Sequence, residues 1–353
     1  MADWTASMQQ IFEYYIVDPG TWKEVRKLDK VKSCTISRDT EAETLGSVSI
    51  DIDENVGECY IRAYLITIQN GIRERHPLGT FMVQTPLSGF DGKIQTISAD
   101  AYTPLIELKE KLPSIGFYIP KDSNIMEQAY LLVRDNVRAP VVETIDESTL
   151  YNDFVSTTSD TWLNYITDLT AEAKFALDLD EMGRILFTPK QDVASLQAIW
   201  TYDDGNSSIL HPSISVDHDL YGIPNVVEVV YSSSNSSEVF YEKIINDDPN
   251  SPISTINRGR EIMKRITDPN IGNPTAESIK DYATQALRDE SALEYTVTYT
   301  HAYCPVRIGD CVRLNYPQAN LHGVKAKVIS QSIKCEPGCP VTEKAVFTQK
   351  LWG

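Results

Sequence analysis

Apolar residues that recur with a period of two near both ends of the chain, and with helical spacing between, constrain this sequence more than anything else in it. From Ile11 to about Tyr102, Val48, Ile50 and Ile52 alternate with Ser49 and Asp51. Ile61, Ala63 and Leu65 alternate with Arg62 and Tyr64, and Phe81 and Val83 with Met82 and Gln84. Because successive strand residues point to opposite faces, such runs predict half-buried strands. Asp18-Pro19-Gly20, Asn70-Gly71 and Asp91-Gly92 punctuate them, with glycine available for the positive φ of tight turns. About the first hundred residues therefore predict an antiparallel β domain.

The period then changes. Pro113, Gly116 and Pro120 interrupt the chain, after which Met126, Ala129, Tyr130, Val133 and Val137 fall at helical spacing, with Asn124 and Glu127 placed for a capping box. A second helix is expected from a cap at Ser159 or Asp160 to about Phe175, with Trp162, Ile166, Leu169 and Ala173 on one face. Leu177 to Thr188 reads as a hairpin turning at Glu181-Met182-Gly183-Arg184 and packed on that helix, which makes the middle a small α+β domain.

Strand character returns from Ile214 to Ile245, as a long hairpin whose polar tip is Ser232-Ser233-Ser234-Asn235-Ser236-Ser237. Pro274-Thr275 opens a third helix, because Ile279, Tyr282, Ala283, Ala286 and Leu287 follow the i, i+3, i+4 template. From Glu294 to Trp352 alternation resumes through Tyr295, Val297 and Tyr299, then Val312 and Leu314, Val324 to Ser330 and Val346 to Leu351. The fold class expected is mainly β with α+β. Its divisions are residues 1–110, 111–200 and 201–353, the last carrying a helix near 275–290.

A chain of 353 residues is long enough for two or three domains with cores of their own. Its 32 Lys+Arg against 50 Asp+Glu leave a net charge of −18, which argues against stable nucleic-acid binding, where cations must neutralise phosphates. No stretch approaches the roughly 20 apolar residues of a membrane span, and the start lacks a signal-peptide core, so the chain reads as cytosolic when made.

Signatures of enzymes are missing: there is no His-Glu-x-x-His, Gly-x-Ser-x-Gly, Walker loop or Gly-x-Gly-x-x-Gly. His76, His211, His218, His301 and His322 lie on separate expected strands or turns, without metal-ligand spacing. Asp51, Asp53 and Asn55 begin like a calcium loop, but the glycine comes one residue late, at Gly57, and Arg62 stands where the closing Glu belongs. Six cysteines (Cys34, Cys59, Cys304, Cys311, Cys335, Cys339) are expected as free thiols in a chain of this size. Cys304, Cys311, Cys335 and Cys339 leave a zinc site or a disulfide open, although their spacing is not that of paired zinc knuckles. Asp203-Asp204 and Asp247-Asp248 fall in expected loops, where acids serve solubility. No catalytic, cofactor-binding or metal residue is assigned.

Three stretches carry a resemblance to a known family. They are Ile68-Gln69-Asn70-Gly71 with His76-Pro77-Leu78-Gly79-Thr80-Phe81-Met82-Val83, the helix and hairpin from Thr161 to Phe187, and the run Arg258 to Leu314 with Arg307-Ile308-Gly309-Asp310-Cys311-Val312. Together they resemble the baseplate hub proteins of contractile phage tails and their prophage and long-tailed phage relatives. The resemblance implies a non-enzymatic virion tail protein, assembled in the host cytoplasm. It would be a multidomain homotrimer with two tube-like antiparallel β-barrel or sandwich domains per chain around a small α+β domain, joining a six-fold tail tube to a three-fold spike or tip and forming part of the channel for genome ejection. Implied partners are a tail tube or distal tail protein, a spike or tip protein and a tape-measure protein. After Val346 to Trp352 nothing suits a β-helical needle, so the spike is expected on a separate chain. The only internal likeness, His76-Pro77-Leu78-Gly79-Thr80-Phe81 against Val306-Arg307-Ile308-Gly309-Asp310-Cys311, is too faint to be a sequence repeat; the duplication is implied by the family. A trimer would carry 3 × (−18) = −54, which suits either a channel wall that repels DNA or plain solubility. Two other readings stand beside this one: a tail-associated cell-wall hydrolase, and a carbohydrate- or receptor-binding tail protein using the 18 tyrosines and five tryptophans.

Overall fold

The computed structural model describes residues 2–352 except 93, 206–207, 233–238, 268, 270 and 272–274, and describes the backbone alone at 85–88, 90–91 and 94–96. The first β region runs through β1 (Gln9–Val17), β2 (Glu24–Leu28), β3 (Val31–Asp39), β4 (Gly46–Ile52), β5 (Cys59–Gln69), β6 (Ile72–Asp91) and β7 (Ile94–Tyr102). Val48, Ile50 and Ile52 of β4 are buried and the residues between them less so, as alternation requires. Asn70 and Gly71 take φ of 51° and 77°, the left-handed pair of a two-residue hairpin, and so set the register of β5 on β6. In β5 half-burial fails: residues 60 to 67 are buried on both faces, Arg62 included, because a hairpin from the middle of the chain covers the second face.

That middle region comprises α1 (Ile106–Lys109), β8 (Tyr118–Ile119), α2 (Ile125–Asn136), β9 (Phe154–Val155), α3 (Trp162–Glu172), β10 (Phe175–Leu179) and β11 (Ile185–Pro189). Asn124 caps α2 by accepting the Glu127 N–H at 2.8 Å. The cap of α3 is Thr161, neither Ser159 nor Asp160, since the Asp160 carboxylate is already taken by the Thr157 N–H and hydroxyl. The helix ends at Glu172; Lys174, at φ 61°, turns the chain into β10, to which Phe175 belongs. Met126, Ala129 and Val133 of α2 meet Leu163, Ile166 and Leu169 of α3 and Leu177 and Ile185 of the hairpin in one apolar core.

The last region holds β12 (Ala198–Asp203), β13 (Leu210–His218), β14 (Val226–Ser232), β15 (Val239–Ile245), α4 (Thr255–Arg258), β16 (Met263–Thr267), α5 (Ala276–Glu290), β17 (Ala292–Ala302), β18 (Cys311–Tyr316), β19 (Leu321–Lys334) and β20 (Pro340–Lys350). The chain divides into two compact units, Met1–Ile214 with Thr298–Ala345, and Ser215–Val297 with Val346–Gly353. In the second unit β14 pairs antiparallel with β15 and parallel with β16, and α5 covers this sheet by setting Ile279, Ala283 and Leu287 against Val227 and Val229. Thr275 and Ser278 close a capping box at the start of α5. Pro274, and all of the expected serine-rich tip except Ser232, lie outside the described residues.

The sheet order contains a pattern that the sequence hides. One path runs β3-β4-β7-β6-β5-β1, with β2 added outside β1, and another runs β13-β17-β20-β19-β18-β12. Leaving β2 aside and ranking each set by chain order, both paths read 2-3-6-5-4-1. Two β modules of the same strand order therefore lie in one chain. They differ where rank 1 meets rank 4: β1 with β5 is antiparallel, whereas β12 with β18 is parallel.

Candidate functional site

The two modules are joined edge to edge. β3 pairs antiparallel with the last third of β19, from Ser330 opposite Asp39 to Lys334 opposite Thr35, and the Thr40 N–H extends the ladder to the Ile329 carbonyl at 2.9 Å. Each bond of such a ladder contributes on the order of 1 kcal/mol net, and its larger effect is to fix register. β19 can reach β3 because β18 covers only its first part, Leu321 to Lys327, and leaves the same edge open beyond.

Side chains extend this seam into the second module. Arg38 of β3 donates to Gln331 Oε1 of β19 at 3.0 Å and to the Leu78 carbonyl at 2.8 Å. Gln331 in turn donates from Nε2 to Glu343 Oε1 at 2.6 Å and to the Val306 carbonyl at 2.9 Å. Glu343 and His301, both 0% exposed, form an ion pair at 3.1 Å. Tyr299 donates to Glu343 Oε2 at 2.8 Å, with the Tyr202 hydroxyl at 3.4 Å. His301 Nδ1 lies 2.6 Å from the Ala302 carbonyl, so each ring nitrogen faces an acceptor and the imidazole is best satisfied as the cation. Burial opposes that charge, but bonds to Cys304 and Glu343 and the carboxylate's field outweigh it and raise His301 to about 10. Glu343 moves the other way: burial would raise it, and the bonds from His301, Gln331 and Tyr299 together with the imidazolium charge hold it below the usual carboxylate range.

Cys304, His301 and Glu343 are a thiol, an imidazole and a carboxylate in sequence, with Cys304 Sγ 4.0 Å from His301 Nδ1. All three are buried, and Nδ1 already has the Ala302 carbonyl as partner, so the set is sealed and paired. Its chemistry is that of a buried polar network that specifies one arrangement of strands.

The third component is the turn of the β10–β11 hairpin. Trp22 and Arg62 both donate to the Met182 carbonyl, at 2.8 and 3.0 Å, and Arg62 also donates to the Thr80 hydroxyl at 2.8 Å. Glu181 accepts from Arg307 Nε at 2.6 Å and lies 3.7 Å from Arg38. Gly183 takes φ 75°, and a Cβ there would come within 2.7 Å of the Thr80 Cβ. Leu78, Gly79 and Thr80, together with Arg307 and Ile308, line one cavity against this turn. The two faintly similar stretches thus meet on the same hairpin.

Of the other residues marked by the sequence, Cys34, Cys335 and Cys339 pack in one apolar cluster and the rest are dispersed. Cys335 donates its N–H to the Cys34 carbonyl at 3.0 Å, and the Cys34 thiol is pushed well above its ordinary range by its bond to Cys335 and by burial. Cys304 belongs to the His301 network, so the four C-terminal cysteines do not converge; all six are free thiols. Among the described residues no group of three His, Cys, Asp or Glu is placed to hold a metal. Asp51 accepts from the hydroxyls of Ser33 and Ser98, and Asp53 pairs with Lys32 at 2.7 Å. His76 meets the Thr67 hydroxyl, while His211, His218 and His322 are exposed. Asp203 and Asp248 each cap their own loop backbone. Sequence reasoning missed His301–Glu343, Arg38–Gln331 and Arg62; an acid alternating into a buried strand face at Glu343 was the one available signal.

No protein-family model and no curated protein sequence matches this chain. Solved structures do. A tail protein from Neisseria meningitidis MC58 superposes with a TM-score of 0.60 over 97% of this chain and 98% of its own, at 11% identity. The 43 kDa tail protein of prophage MuSo2 from Shewanella oneidensis gives 0.62 over 96% and 98%, at 13% identity. This chain has the fold of these tail proteins. The tail-protein fold also matches a Francisella PdpA–VgrG complex, with a TM-score of 0.54, 8% identity and coverage of 96% of this chain but 58% of that one.

Proposed function

We propose that this chain is a structural hub of a phage-type tail, a homotrimeric adaptor between a six-fold tail tube and a three-fold spike or tip. The observation that carries the reading is the pair of β modules with one strand order, joined edge to edge within a single polypeptide. A three-fold ring of such chains presents six similar modules, which is what a six-fold tube needs at its end. In this reading residues 1–110 and 201–353 carry tube-like domains, the second interrupted by β14–β16 and α5, and 111–200 is the middle α+β domain. Its hairpin turn, held by Trp22, Arg62 and Arg307, keeps the two modules in one orientation.

The likeness in fold to tail proteins and to a VgrG complex supports this assignment. Tube or distal tail protein, spike or tip, and tape-measure protein are the partners it calls for, with a place in the virion tail after assembly in the host cytoplasm. In this reading the role is geometric and non-enzymatic, and among the described residues the thiol–imidazole–carboxylate set of Cys304, His301 and Glu343 is buried. The excess of acids would keep DNA from adhering during passage if part of it lines the ring. Light scattering on the purified protein tests the reading: three chains per particle are expected, and a monomer at all concentrations would refute it.

A further inference from the structure

β3 and β19 pair from Asp39 opposite Ser330 to Thr35 opposite Lys334, and the next step of that register sets Cys34 opposite Cys335. The Cys335 N–H donates to the Cys34 carbonyl at 3.0 Å, which holds this step in place. Directly opposed residues of an antiparallel pair share a face and stand about 4.5–5.5 Å apart at Cα, inside the range of about 4.4–6.8 Å that a disulfide spans. The face here is the apolar one, since Ile36 and Ile333, two residues back along each strand, are opposed and buried in the core of the first module.

The side chains meet as the backbones do. The Cys34 thiol bonds with that of Cys335, and the Tyr14 hydroxyl of β1 bonds with both. Cys339 packs in the same cluster but acts on Cys34 through its charge alone. Cys34 is 4% exposed and Cys335 is half-buried, so solvent reaches one sulfur of the pair far more readily than the other.

We propose that Cys34 and Cys335 form an oxidation site that takes a small-molecule disulfide and closes to a covalent link across the seam between the two β modules. The Cys335 thiolate attacks one sulfur of the reagent, forming a mixed disulfide and expelling a thiolate. Cys34, giving up its proton, then attacks the Cys335 sulfur and expels the second. Two protein thiols thus become one disulfide, the reagent is reduced to two thiols, and the two protons pass to the leaving thiolates. A link that closes a loop of roughly 300 residues restricts the unfolded chain more than a local one does. On the hub reading above, a tail leaves a reducing cytoplasm for an oxidising exterior, so the seam would form first and be locked afterwards. That timing rests on the hub reading; the site itself does not.

Oxidised glutathione added to the folded, full-length protein tests this. Thiol titration after denaturation is expected to show two of the six thiols lost. The intact mass should fall by about 2 Da, and a non-reducing digest should hold Cys34 and Cys335 in one linked peptide pair. The link should still close in Cys339→Ser, whereas Cys34→Ser should stop at the mixed disulfide on Cys335, read as a gain of about 305 Da. The wild-type digest decides the matter even where a variant fails to fold. Six thiols left after oxidation, a mixed disulfide that persists in the wild type, or a linked peptide joining Cys335 to Cys339 would each overturn the proposal.

Discussion

The two β modules share a strand order yet solve their interiors with different chemistry. In the first, the centre is aliphatic: Ile36, Ile50, Ile52, Leu65 and Val83 are buried together. In the second, buried Val297, Val312, Leu314, Ala326 and Val328 stand beside a buried polar network of an ion pair, two tyrosines, a thiol and a glutamine. One strand order therefore accommodates a buried polar network in one module and none like it among the core residues named for the other. The aliphatic core is driven by removal of apolar area from water and tolerates substitutions of similar volume. The polar core must be satisfied group by group, and through Gln331 and Arg38 it is tied to the seam between modules.

The largest expected effect separates these cores. Glu343→Ala strands a buried imidazolium and is expected to lower unfolding free energy by about 3–5 kcal/mol in denaturant titration. The double variant His301→Leu with Glu343→Leu should be markedly more stable than Glu343→Ala, because no charge is left unpaired. Equal loss in both would mean that shape at this site outweighs charge.

The same pair gives the second module a pH signature. His301 is raised from 6.5 to about 10, so its contribution is fully present below about 6.5 and is lost as pH rises through about 10. Glu343 is lowered from 4.5, so its contribution is present above about 4.5 and is lost on further acidification. The melting-temperature difference between the wild type and the Leu/Leu variant is thus expected to be most favourable to the wild type between about pH 4.5 and 6.5, and to shrink towards pH 10. A flat difference across that range would contradict the ion pair.

Gly183→Ala addresses what locks the modules to the middle region. Its positive φ and the approach to Thr80 predict a loss of about 1–3 kcal/mol, read by thermal unfolding. The smallest change is expected in the aliphatic core, where Ile50→Val should cost about 0.5–1.5 kcal/mol with no pH signature.

Much of the fold was legible in the sequence because its causes are local. Alternation located the strands of both modules, Asn70-Gly71 fixed a hairpin, and the caps at Asn124 and Thr275 marked helix starts. What failed to read has distant causes. Arg62 looks like a solvent-facing residue until the Met182 carbonyl, 120 positions away, arrives over it. His301 and Glu343 lie 42 residues apart on neighbouring strands, and neither carries a motif. The start of α3 moved to Thr161 because Asp160 was engaged by Thr157. The duplication stayed hidden because strand order is set by pairing between distant segments, which no local sequence pattern records.

In the proposed assembly, two like modules in one chain turn three copies into a ring of six, and electron-microscope images of the isolated particle viewed down its axis would show it. Six lobes of similar size at intervals of about 60° are the predicted result; three lobes, or single unassembled chains, would contradict it.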